Sequence, residues 1–186
     1  MAASEVAICN RALQKLGAKR IISLDDVGVP NASRCKAAYA MVRDQELRKR
    51  AWNFAIKRVQ LAADVAVPLD YAGAFTLPTD CIRILPKNTV TDWQPEHGKI
   101  LTNDKAPLSL RYIARISDTT LFDENFTEML AAKIAYELCE EITQSNTKQA
   151  NAMQDYKTAA FDAARTNAFE KYPEEPPEDS WITARL

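Results

Sequence analysis

Apolar positions along the chain follow two regimes, with helical spacing towards both ends and short strand-like pieces between them. Near the N-terminus Val6, Cys9, Leu13 and Leu16 fall on one face, with Ser4 placed to cap a helix and Gly17 to stop it in the left-handed conformation. In the connector AKRIISLDDVGVPNAS, Ile21, Ile22 and Leu24 are suited to tuck beneath the helices. Asp25, Asp26, Gly28 and Pro30 turn the chain. A second helix is expected from a cap at Asn31 to about Ala51, with Cys35, Ala38, Tyr39 and Val42 as its first apolar stripe.

After Leu61 the pattern changes. Phe75 to Leu77, Ile82 to Leu85, Val90, Ile100 to Leu101 and Leu108 to Ile113 are short β-like pieces. Pro68, Pro78, Pro86, Pro95 and Pro107 exclude a long helix among them. Residues 63 to 120 therefore read as a small antiparallel sheet or hairpin set between helices, with Glu96-His97-Gly98-Lys99 turning between two strands. Helical spacing resumes at Asp123, a good cap. Phe126, Leu130, Ile134, Leu138 and Ile142 recur every fourth residue, and Ala131, Ala135 and Cys139 widen their face. A stripe of that period drifts around the axis, so it can touch more than one neighbour. Ser145 and Asn146 break the run before a fourth helix, about 147 to 170, which carries seven alanines with Met153, Tyr156 and Phe161. The short break makes the last two helices an antiparallel pair.

The expected fold is mainly α. A four-helix bundle-like domain spans residues 1–171, a small antiparallel β insertion occupies about 63–120, and an extended arm occupies 172–186. Two stretches stand out within this plan. RDQELRKRAWNFAIKRVQLA, residues 43 to 62, moves abruptly from mixed charge to aromatics: Arg48, Lys49 and Arg50 complement the unpaired carbonyls of a helix end, and Trp52 plugs that end into a core. The arm PEEPPEDSWITARL after Tyr172 combines three prolines and four acids, which forbid helix, with an apolar end at Trp181, Ile182 and Leu186. Such an end either folds back on its own domain or orders against another surface.

Composition narrows the chemistry. At 186 residues, with 47% hydrophobic and 26% charged residues and a net charge of −1, the chain suits one soluble domain with a real core. Only four glycines leave no Gly-rich phosphate loop. Cys9, Cys35, Cys81 and Cys139 are scattered, which supports buried free thiols and no zinc site; no metal and no cofactor is expected. No apolar run is long enough to cross a membrane, and the N-terminus lacks a secretory pattern, so synthesis in the cytosol is expected. Residues 34 to 58 hold eight Lys or Arg against two acids, whereas residues 122 to 146 hold six acids against one Lys. These blocks can pair within the chain or between neighbouring subunits.

A catalytic reading finds little to build on. His97 is the only histidine and sits on a turn, so Ser-His and Cys-His schemes lack a visible partner. Asp123, Glu124 and Glu128, or Glu137, Glu140 and Glu141, could in principle supply a carboxylate pair, yet caps and solvated helix faces explain them. RKRAWNFAIKR is a weak nucleic-acid signal beside neighbouring acids.

In order along the chain, ICNRALQKLGAKRIISLDD, RAWNFAIKRVQLA, FTLPTDCIRIL, LRYIARISDTTLFDENFTEMLAAKIAYELCEEIT and DSWITAR resemble stations of one family. These are the head-to-tail adaptor proteins of short-tailed bacteriophages, the tail tubular protein A and tail accessory factor group. The resemblance spans almost the whole chain and implies a connector in the neck of the virion, assembled in the host cytoplasm. It implies a closed ring of about twelve copies between a portal protein and a tail nozzle protein, with DNA passing through the lumen without sequence-specific binding and no membrane contact. The arm is then expected to engage the portal through Trp181, Ile182, Arg185 and Leu186, and Arg48, Lys49, Arg50 and Trp52 are expected to contact protein partners. Some relatives are credited with cell-wall hydrolysis, so a virion-associated peptidoglycan hydrolase is the alternative.

Overall fold

A computed structural model of the chain describes residues 4–26, 28–66, 69–85 and 92–170. Helix α1 (Glu5–Leu16) begins at Ser4, whose hydroxyl accepts from the Ala7 N–H at 3.2 Å, and ends at Gly17 with φ 73°. Helix α2 (Pro30–Lys49) starts earlier than expected. Val29 is its cap residue, and Pro30 takes the first helical position, where a missing N–H costs nothing. Asn31 serves elsewhere: its amide donates to the Lys19 carbonyl and its oxygen accepts from Arg34. Helix α3 (Glu124–Thr143) is capped by Asp123, which accepts from the N–H groups of Asn125 and Phe126 at 2.8 and 3.2 Å. Helix α4 (Asn146–Phe169) follows a turn at Gln144 (φ 49°) and a cap at Ser145.

α3 is the central element and packs against α1, α2 and α4. Its period-four stripe drifts as anticipated, and Phe126, Met129, Leu130, Ala131, Ala132, Ile134, Ala135, Leu138 and Cys139 are all buried. α4 is the opposite case: it buries only Ala152 and Ala163 fully, so one broad face is left to solvent.

The strands are β1 (Ile56–Leu61), β2 (Gly73–Thr76), β3 (Cys81–Ile84), β4 (Trp93–Glu96), β5 (Lys99–Thr102) and β6 (Leu108–Ala114). They form two antiparallel three-stranded sheets, one ordered β1-β6-β3 and the other β2-β5-β4. In the first, β6 is central and its register with β1 runs from Ile56 opposite Ile113 to Leu61 opposite Leu108. In the second, His97 (φ 44°) and Gly98 (φ 74°) make the tight turn joining β4 to β5. Pro95 is tolerated in β4 because that strand lies at an edge.

The expectation of a mainly α chain with a small β insertion is corrected here. Helices hold 52% and strands 18% of the described residues, and two separate sheets make this an α+β architecture. The physical reason lies in RAWNFAIKRVQLA. Lys57 and Arg58 resemble the cationic end of a helix, yet they sit on the exposed positions of β1 while Ile56, Val59 and Leu61 turn inward. Sheet-forming sequence therefore begins before residue 63.

The opposed charge blocks meet within the chain at one described point, where Arg34 of α2 pairs with Glu141 of α3 at 2.6 Å. Other members pair with residues outside the two blocks. Glu128 holds Arg11 and Lys15 of α1 at 2.9 and 2.8 Å, and Lys57 holds Asp80 at 2.7 Å. Asp26 accepts from the Gly28 N–H and Asp25 pairs with Lys36, so both aspartates act in turn and surface contacts. Cys9, Cys35, Cys81 and Cys139 are free thiols.

Candidate functional site

The end of α2 is where the helical layer joins the sheets. Arg48 and Lys49 occupy its last turn, facing the partial negative charge of the terminal carbonyls. Arg50 then leaves the helix in an extended conformation, and Trp52 folds back beneath it. The indole N–H donates to the Glu46 carbonyl at 2.9 Å, satisfying an acceptor that the helix itself leaves open.

Trp52 is 2% exposed. Its ring meets Phe126 edge-on at 5.1 Å and stacks on Phe54 at 6.3 Å. Phe54 and Phe122 meet Phe126 at 4.9 and 5.0 Å. Four aromatic rings thus connect the end of α2, the 3-10 turn Asn53–Ala55 and the start of α3. The expected plug is found, and because it is fully used inside the chain, Trp52 presents no face to an outside partner.

Arg48 and Arg50 have separate surroundings. Arg48 reaches across to donate to the Ile82 carbonyl of β3, and Arg83 of β3 returns a bond to the Lys49 carbonyl at 3.3 Å. This reciprocal pair fastens α2 to the first sheet. Arg50 is exposed at the rim of a cleft of about 260 Å³, which Glu46, Lys49, Trp52, Met129, Tyr156 and Ala160 also line.

The floor of that cleft carries a group that the periodicity did not reveal. Glu46 is only 2% exposed, and a buried carboxylate needs partners for its lone pairs. The Tyr156 hydroxyl lies 3.0 and 3.1 Å from its two oxygens, and the Lys49 ammonium lies 2.5 Å from one of them. Burial works against the charge on Lys49. The hydrogen bonds to Glu46 and Tyr156 outweigh it and hold the ammonium pKa above its ordinary value. Lys49 and Lys133 each lie 5.3 Å from the Tyr156 ring centre, adding cation–π contacts. The i,i+3 spacing of Glu46 and Lys49 was the available signal, submerged in the run RDQELRKR.

Four of the six acids suggested for hydrolysis are held in structural contacts. Asp123 is a cap, Glu128 is paired with α1, Glu137 with Lys133 and Glu141 with Arg34. The hydrogen bonds from Arg11 and Lys15 overcome the effect of burial and hold the Glu128 carboxyl below its usual range.

Several large apolar side chains face solvent: Ile22, Met41, Val65, Leu69, Leu121, Phe161 and Phe169. Phe161 and Phe169 are 66% and 76% exposed on α4, two turns apart, and the Arg165 guanidinium between them lies 5.5 Å from the Phe169 ring centre. Sequence reasoning grouped Phe161 with the inward Met153 and Tyr156. An eight-residue spacing between phenylalanines in a polar stretch was the signal that separated it. Trp181, Ile182, Arg185 and Leu186 lie outside the described residues. No protein-family model matches this chain, and no curated protein matches it.

Proposed function

We propose that the chain is a structural head-to-tail connector of a bacteriophage. In this reading copies pack side by side into a ring between the portal and the tail nozzle, DNA passes through the lumen, and the arm at residues 172–186 docks on the portal. The observation that carries it is the use of the side chains. The conspicuous polar cluster, Glu46 with Lys49 and Tyr156, bonds to itself, while large apolar groups such as Ile22, Met41 and Leu121 are left outside. Exposed apolar groups in such numbers suit a subunit that buries them against protein partners. The order of the family-like segments along the chain supports the same reading.

Arg48 is engaged with β3, which supports a structural role for it rather than a continuous basic lining for DNA. Purified chain mixed with portal from the same virion tests the proposal: co-sedimentation that is lost on deleting residues 172–186 is the expected outcome, and unchanged attachment without them would refute the role of the arm. Incubation with purified cell walls separates the connector from a hydrolase, since release of soluble fragments would oppose the connector reading.

A further inference from the structure

The exposed face of α4 has an order that a merely solvated helix does not require. Lys157, Phe161, Arg165 and Phe169 follow one another at intervals of four, so cation and aromatic alternate along one row. All four are exposed. Asp155 and Asp162 fall at one border of the exposed arc instead of along this row. The row runs about 18 Å from Lys157 to Phe169.

Immediately after α4 the sequence supplies a complementary ligand. Pro173-Glu174-Glu175-Pro176-Pro177-Glu178-Asp179 alternates prolines with acids. A polyproline-type strand docks on rows of aromatic rings, which contact its pyrrolidines at a lower ordering cost than a flexible chain would carry. The four acids meet the two cations of the row. We infer that residues 173–179 lie back along the outer face of α4 of their own chain, with the prolines on Phe161 and Phe169 and the acids beside Arg165 and Lys157.

Lengths agree with this placement. Residues 174 to 179 in a polyproline conformation span about 16 Å, and Arg165 and Lys157 are about 12 Å apart along the helix. A reversal within residues 171–173 sets the first acids near Arg165 and brings Pro176 and Pro177 level with Phe161. Trp181 then falls beyond Lys157, so the track leaves the apolar end from Trp181 to Leu186 available to another surface. The contact is internal to one chain and stands or falls without any portal.

The test uses the full chain with a photo-crosslinking benzoylphenylalanine in place of Phe161, at dilute protein concentration and low salt. A mixture of nitrogen-15 and unlabelled chains is irradiated, and the crosslinked peptides are mapped by mass spectrometry. The expected result is a crosslink from position 161 to residues 173–179 joining peptides of the same isotope. Its yield should fall several-fold in the pair Lys157→Glu with Arg165→Glu and also, with no substitution at those positions, at high salt. Crosslinks lacking residues 173–179, or crosslinks of mixed isotope that show the arm of a second copy on the row, would overturn the inference.

Discussion

Glu46 and Tyr39 are two buried polar groups with opposite circumstances, and they make opposite predictions. The Glu46 carboxylate depends on the Tyr156 hydroxyl, so Tyr156→Phe should lower the unfolding free energy in urea by about 1–2 kcal/mol, since a buried acceptor loses its donor. An unchanged midpoint would contradict this account of the cluster. The Tyr39 hydroxyl is buried with no hydrogen-bond partner among the described residues. Burial, the largest influence, pushes its pKa up, which keeps it neutral. Tyr39→Phe should therefore leave stability unchanged or raise it by up to about 1 kcal/mol, measured in the same way. Trp52 was legible as a plug because an aromatic directly after a cationic helix end has few other uses. Glu46 was not legible, because a glutamate three residues before a lysine is common on solvated helices and only tertiary packing places it under Tyr156.

Among the elements, the helices were readable and the sheets were blurred. Ser4, Gly17 and Asp123 announce helix boundaries by chemistry that acts over three or four residues, and the structure uses each of them. Gly17→Ala should cost about 1 kcal/mol, because alanine resists the left-handed conformation that Gly17 adopts. β1 was hidden because its alternation is carried by only three inward residues beside two cations. β4 was implied only by the turn expected at Glu96-His97-Gly98-Lys99, because Pro95 argues against a strand unless its edge position is known.

The α1–α3 contact has a pH signature. The Glu128 carboxyl is held below its usual range in the folded chain, so its contribution is present above the unfolded value and is lost as pH falls through the folded one. The partners are partly exposed, which keeps the effect small: Glu128→Gln should cost about 0.5–1 kcal/mol at pH 7. The difference between the two proteins should vanish at a pH low enough to protonate the carboxyl in the folded chain; a gap unchanged down to that pH would show that Glu128 stabilises by packing alone.

At the scale of the whole molecule, the chain gathers a helical layer around α3, ties the end of α2 to the start of α3 through an aromatic hub and to the first sheet through Arg48 and Arg83, and leaves one face of α4 exposed. In the proposed connector, the apolar groups left outside the core are the ones that neighbouring proteins would cover. Removing residues 172–186 should leave the helical signal in place, since the described residues from Ile8 to Ala163 already form a continuous core. The most direct measurement of the central claim is electron microscopy of the purified chain incubated with portal from the same virion. The account predicts a closed ring of this chain seated on one face of the portal, in register with the portal subunits. Portals that remain bare at saturating protein would contradict it.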